Sequence, residues 1–298
     1  MISFFIQQQY KILNQYIKLT KPKVTQLAIY CSIIGMFLSV PGFPNAVRFF
    51  AGIIGIWLLA SSAFAINCLI EKKIDIQMHR TAYRSFIFNN ISNMKVIVLS
   101  CAFSGLGICI LYNFVNVLTM WLTLATFFGY VFIYTLILKP ITPQNIVIGG
   151  LSGAMPPALG WTSISGSLSA EAWILVLIIF VWTPPHFWSL ALYRNHDYIK
   201  TGLPMLPVTH GINFTSLHIF LYSIILLISS SLLPYIVGMS GIFYLLISIS
   251  LGTIFVFYAW KLYKFHSIAL AKKLFHFSIL YLSLLFSTLL LDHWIHII

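Results

Sequence analysis

Asn67, Glu71 and Asp75 follow one another at intervals of four in the stretch from Asn67 to Arg84, NCLIEKKIDIQMHRTAYR. On an α-helix that spacing turns each residue about 40° past the last, so the three oxygen-bearing side chains spread over roughly 80° of one face. Lys72, Lys73, Arg80 and Arg84 lie close by in the sequence. Oxygen ligands suit a hard cation such as Mg²⁺, and lysine and arginine suit phosphate oxygens, so the stretch reads as a magnesium-diphosphate site. The same residues also fit a plainer role, in which acids neutralise neighbouring lysines at a wetted helix end.

A second stretch, ALYRNHDYIKTGLPMLPVTHG, mirrors the first: Tyr193, Arg194, Asn195, His196, Asp197 and Tyr198 begin just past another apolar run. If the two helix ends meet across a bundle, Asp197 faces Glu71 and Asp75, and Mg²⁺ bridges these carboxylates to diphosphate oxygens. Lys139, Arg80, Arg84 and Arg194 then neutralise the remaining phosphate charge. Alone, Asp197 would read as a solvated loop or cap residue; the pairing of the two stretches gives it the metal role. Between them, Gly149, Gly150 and Gly153 are spaced for close helix packing, and Pro156 and Pro157 interrupt a helix, either as packing or as a pocket wall. His186, in WTPPHFW, is an ionisable side chain inside an apolar helix. It reads as a haem ligand or proton carrier, or as a structural histidine bonded to a carbonyl that the prolines free.

The elements that must hold these residues are set by composition. The chain has 298 residues, 60% hydrophobic and only 7% charged, which excludes an ordinary soluble domain. About 20 apolar residues cross a bilayer. Nine runs qualify: about 24–40, 46–70, 96–111, 115–138, 145–163, 172–192, 214–237, 242–263 and 274–291. The expected fold is an all-α polytopic membrane protein, a bundle of about nine transmembrane helices forming one domain over residues 1–298, with residues 1–20 as an interfacial segment. Sixteen of the seventeen basic residues fall on one side of this scheme and Arg48 alone on the other. The positive side is cytoplasmic by rule, so the amino terminus, Glu71, Asp75 and Asp197 are placed there, at a cytoplasmic active site. The net charge of +12 is thereby read as topology and not as nucleic-acid binding. Cys31, Cys68, Cys101 and Cys109 lie in apolar runs without a CxxC pair, which leaves a disulfide framework or zinc site little support.

Several phrases together resemble the UbiA-type intramembrane prenyltransferases: LTKPKV at 19–24, NCLIEKKID from Asn67, YTLILK with TPQNIVIGG over 134–150, GAMPPALGW over 153–161, WTPPHFWSLALYR, and PMLPV after Asp197. The resemblance covers the chain from about Tyr16 onward. TPPHFW and PMLPV point to the branch that prenylates haem. It implies that Asn67, Glu71, Asp75 and Asp197 are catalytic, with Glu71, Asp75 and Asp197 holding Mg²⁺ as cofactor. Lys139, Arg80, Arg84 and Arg194 would bind diphosphate, and His186 would contact haem. Glu71 departs from the usual aspartate, and His196, Ser85 and Pro140 also depart from the pattern. The implied reaction is farnesyl transfer from farnesyl diphosphate to a vinyl group of protohaem IX, in the bacterial inner membrane. A downstream haem-modifying enzyme or a terminal oxidase assembly would be a partner. Another acceptor, such as an aromatic quinone precursor, is the alternative within the class; a transporter is the alternative outside it.

Overall fold

A computed structural model describes residues 14–79, 81–83, 87 and 91–297. Residues 1–13 of the expected interfacial segment, together with Arg80, Arg84 and Ser85, lie outside the described residues. The chain is helical wherever it is apolar. Pro22 opens α1 (Pro22–Leu38), where proline gives up no donor that the first turn needs. Asn45 caps α2 (Ala46–Ile70) by accepting from Arg48 N at 3.1 Å. After Glu71 comes a short helix, α3 (Lys72–Gln77), so the helical spacing read for Asn67, Glu71 and Asp75 runs past the end of the apolar segment. Ser92 and Asn116 cap α4 (Asn93–Phe114) and α5 (Val117–Phe128) in the same manner.

α5 does not stop at its apolar end. It widens into a π-helical segment, Gly129–Leu138, and a last turn, Lys139–Ile141, so Lys139 lies within the helical rod where the sequence had suggested a connection. The next leg is broken into α6 (Asn145–Ala154) and α7 (Pro156–Ser165). The core leg is α8 (Ala170–Tyr193), followed by the short helices α9 (Asn195–Thr201) and α10 (Leu206–Thr209). Three long helices finish the bundle: α11 (Gly211–Ile236), α12 (Ile242–Phe265) and α13 (Ile268–Ile297). The last starts earlier and ends later than the apolar run 274–291, carrying Lys272 and Lys273 on helix.

Among the described residues seven helices are long and apolar enough to cross a membrane. The shorter α1 and the broken α6–α7 leg bring the bundle to the nine expected. Large apolar side chains such as Trp121, Ile133 and Leu246 face outward, as suits a lipid-facing surface. The protein is a multi-pass membrane protein.

Of the seven long apolar helices α8 is the most buried, and it packs on α6, α11 and α13. α1 and α7 cross in backbone contact: a Cβ on Gly160 would lie 1.9 Å from Ser32 O, and one on Gly35 2.1 Å from Pro157 O. Such small-residue crossings replace the hydrophobic drive that lipid removes. The packing role expected of the three later glycines holds for two. Gly149 lies against Tyr134 and Gly150 against Thr183, whereas a Cβ on Gly153 would meet open space. Pro156 and Pro157 begin a new helix, and Ser32 Oγ donates to the Pro156 carbonyl at 2.9 Å.

Candidate active site

The backbone carries the four-residue spacing across the end of α2. Glu71 N donates to Asn67 O at 2.9 Å and Asp75 N to Glu71 O at 2.8 Å, so the helical stacking survives the non-helical turn at Glu71. All three side chains are buried, Asn67 at 1%, Glu71 at 5% and Asp75 at 3% exposure. That is deep for two carboxylates, which are almost never fully buried unless paired.

Asn67 is the hub. Its Oδ1 accepts from Lys21 Nζ at 2.5 Å, while its Nδ2 donates to Glu71 Oε1 at 2.9 Å and to Thr135 Oγ1 at 3.0 Å. Its amide orientation is thus fixed by one donor and two acceptors. Lys139 Nζ donates to the same Glu71 Oε1 at 2.5 Å. Both bonds land on Oε1, and Oε2 receives none among the described residues. Burial pushes the Glu71 carboxyl up, but Lys139 and then Lys21, with the bonds from Lys139 and Asn67, outweigh it and hold the group below its ordinary value. Glu71 is therefore an anion with one oxygen still open.

The π-helical winding positions two of these partners. Its hydrogen bonds span five residues, as in Lys139 N to Tyr134 O, so side chains four to five apart share a face. Thr135 Oγ1 donates to Tyr130 O at 2.8 Å and accepts from Asn67, and Lys139 follows four residues later. Lys139 Nζ lies 5.9 Å from the Tyr134 ring centre and Lys21 Nζ 5.6 Å from that of Phe64. Tyr130 joins Phe64 and Tyr134 at 5.3 and 5.5 Å between ring centres. Two cations thus cap a short aromatic wall.

Beside Glu71 is a cavity of about 140 Å³ lined by Glu71, Ile74, Thr135, Lys139, Pro140 and Leu203. Leu203 comes from the connection that follows α9, and α9 packs against α3. The two stretches singled out in the sequence therefore meet. Asp197, in the first turn of α9, is partly exposed. Among the described residues no three His, Cys, Asp or Glu side chains are grouped closely enough to hold a metal ion by themselves. Arg194 stacks beside the Tyr193 ring at 5.1 Å, and its buried Nε has no acceptor among the described residues. Arg80 and Arg84 lie outside the described residues.

Two members of the cluster were not singled out by the sequence. Lys21 had counted only toward topology, although it stands before a proline in LTKPKV. Its φ of +49° is left-handed, which a non-glycine residue seldom adopts, and strain of this kind gathers at functional sites. Thr135 carried no signal beyond being a hydroxyl in an apolar run.

His186 sits apart, within α8. Its Nδ1 lies 2.6 Å from Ser278 Oγ, not on a carbonyl freed by the prolines; Ser189 Oγ takes the Pro185 carbonyl.

A sequence profile of the UbiA prenyltransferase family matches residues 28–285. The chain belongs to the UbiA prenyltransferase family. It is 64% identical to a protoheme IX farnesyltransferase of Bordetella petrii, over 95% of each chain. It is 58% identical to one of Paraburkholderia xenovorans, over 96% of this chain and 94% of the relative. The UbiA fold is borne out by solved structures. A structure described for digeranylgeranylglyceryl phosphate synthase superimposes with a TM-score of 0.80 at 18% identity, covering 95% of this chain and 99% of that one. A UbiA homologue from Archaeoglobus fulgidus bound to GPP and Mg²⁺ superimposes with a TM-score of 0.65 at 15% identity, covering 92% and 99%. As a UbiA prenyltransferase, the chain carries its buried acids and lysines at one end of the bundle.

Proposed function

We propose that this enzyme transfers a farnesyl group from farnesyl diphosphate to a vinyl group of protohaem IX. The observation that carries the reading is the buried Lys21–Asn67–Glu71–Lys139 cluster at the mouth of an aromatic wall, in a chain so similar to proteins named for this reaction. Its position at helix ends also disfavours a transporter, whose sites lie near the bilayer midplane.

Breaking the allylic C–O bond sends the electron pair onto diphosphate. Lys21, Lys139 and Arg194 offer donors where that charge develops, Arg194 through its unmet Nε–H. Arg80 and Arg84 are assigned the same role from the sequence. The farnesyl cation must meet the vinyl group before it meets water, and the rings of Phe64, Tyr130 and Tyr134 supply an apolar wall beside the cationic heads. The vinyl carbon forms the new C–C bond, water adds to the cation left next to the porphyrin, and loss of a proton gives a hydroxyethylfarnesyl side chain.

The donor set fits Mg²⁺, which needs only one or two carboxylates beside phosphate oxygens. Glu71 through its open oxygen, Asp75 and Asp197 would hold it, with Asn67 orienting Glu71. When bound, Mg²⁺ supplies charge neutralisation to the leaving diphosphate.

The same reading puts this end of the bundle on the cytoplasmic side of a bacterial inner membrane, following the sixteen-to-one distribution of basic residues. It makes a haem-modifying enzyme or a terminal oxidase assembly the consumer of the product.

Incubating the purified chain in lipid with protohaem, farnesyl diphosphate and Mg²⁺ should give a haem heavier by one farnesyl group and one hydroxyl group. Formation of no such product overturns the reading, and transfer to an aromatic quinone precursor under the same conditions would redirect it to that acceptor.

A further inference from the structure

Four lysines gather where α12 turns into α13: Lys261 and Lys264 close to the end of α12, Lys272 and Lys273 close to the start of α13. No carboxylate on these helices answers them. α11 and α12 contain no Asp or Glu, and the one acid of α13, Asp292, lies roughly 28 Å along the axis from Lys273 at 1.5 Å per residue. Four like charges at one end of packed helices repel one another and draw counter-charge from outside the chain.

Three of the ammonium heads lie over aromatic rings. Lys261 Nζ is 4.4 Å from the Phe257 ring centre and Lys264 Nζ 5.3 Å from that of Trp260, each folded back one turn along α12. Lys273 Nζ reaches across from α13 to 4.9 Å from the Tyr258 ring centre. Phe257 is 6.3 Å from Tyr258 and 6.2 Å from Trp260 between ring centres, so the three heads stand over one connected set of rings. Phe265 flanks Lys264 at 5.7 Å, and Ile268, at the turn itself, is 69% exposed. A lysine that marks topology alone carries its charge past the last apolar side chain, into water. Here charge and apolar surface are interleaved through the last turns. An occupant of this surface must bring anionic oxygens to the lysine heads and hydrocarbon to the rings between them. Inorganic phosphate and an acidic peptide lack the hydrocarbon, whereas an anionic phospholipid supplies both.

We infer that the α12–α13 end binds the headgroup phosphate of an anionic phospholipid through Lys261, Lys264 and Lys273, with Lys272 adding to their field and its acyl chains lying along Phe257, Trp260 and Ile268. None of these residues belongs to the cluster around Glu71.

Native mass spectrometry of the full chain in detergent tests the site, with phosphatidylglycerol and phosphatidylcholine of the same acyl chains supplied in equal amounts. The wild type should retain phosphatidylglycerol in preference. Lys264→Gln combined with Lys273→Gln should lower that preference about tenfold or more. Lys95→Gln combined with Lys200→Gln removes the same charge elsewhere at the basic end and should leave the preference unchanged. Phe257→Leu combined with Trp260→Leu keeps every lysine and should lower the preference by a smaller factor, because the heads lose their rings. Thermal midpoints report folding, and Lys261→Gln alone carries the test at a smaller factor if the double lysine variant fails that control. Equal retention of the two lipids by the wild type overturns the inference, as does an unchanged preference in the folded lysine variant. An equal loss in the two lysine pairs would reduce the effect to net charge and overturn it too. Displacement of the lipid by an equal concentration of inorganic phosphate would reassign the lysines to a free anion and overturn the lipid.

Discussion

Lys139 Nζ lies 2.5 Å from Glu71 Oε1, joining the far end of the π-helical rod to the cap of α2. A buried pair of this kind costs most when one partner is removed, because the other charge is left without compensation. Lys139→Met is predicted to lower both the thermal midpoint and turnover, the latter by about 10²–10³-fold if the ammonium serves the leaving group. Lys139→Met combined with Glu71→Gln should recover stability without recovering turnover. Unfolding scans and product assays on the four proteins measure both quantities.

The depressed Glu71 carboxyl gives a stability that depends on pH with a definite sign. Its folded pKa lies below the ordinary 4.5, so its contribution is present in full above that value and is lost as pH falls through the lower, folded pKa. Because Lys139 is the foremost lowering influence, Lys139→Met should move the acid-side loss of stability to higher pH. Glu71→Gln should remove that part of the acid dependence. Thermal midpoints measured across the acid range test the order: the lysine variant must begin to lose stability first.

Lys21 combines a functional contact with a left-handed backbone, and two substitutions separate them. Lys21→Met discards the ammonium and keeps the strain; Lys21→Gly discards both. The glycine variant should be more stable than the methionine variant by about 1–2 kcal/mol, the cost of the left-handed conformation for a residue with a Cβ. Both should raise KM for farnesyl diphosphate alike. Equal stabilities would show that the backbone at this position carries no strain.

At the other end of the bundle, Asp292 on α13 is fully buried and accepts from Gly241 N at 2.6 Å and Tyr244 N at 3.1 Å. A carboxylate from one leg thus caps the first turn of α12. Asp292→Ala should cost about 1.5–3 kcal/mol of stability, in line with hydrogen bonds to a charged group. Asp292→Asn, which keeps an acceptor, should cost less. KM for farnesyl diphosphate should not change in the folded fraction of either, since the substitution lies far along the legs from Glu71.

The legs of the bundle were legible because lipid demands long apolar runs and punishes exceptions. The spacing of Asn67, Glu71 and Asp75 was legible for a related reason: few acids occur, so three polar residues on one face stand out. Lys21 was hidden because one more lysine at a basic membrane edge looks like topology. Thr135 and the reach of Lys139 were hidden by the π-helical winding, which no apolar run announces, since every position in it can face lipid or a neighbour. Asp197 was legible as the second stretch, but its partly exposed side chain leaves the meeting of the two stretches to α9, α3 and Leu203.

The π-helical segment makes this part of the chain sensitive to length more than to composition. Each residue of an ordinary helix advances the rotation by about 100°. Deleting one residue from Gly129–Leu138 would let the rod relax to ordinary winding and swing whatever follows around its axis. Lys139 would then leave Glu71, although no residue touching substrate had been altered. Apolar exchanges within the segment should be tolerated, and single insertions or deletions should not, so the register of one leg acts as the gauge that keeps the two lysines over the same carboxylate and amide.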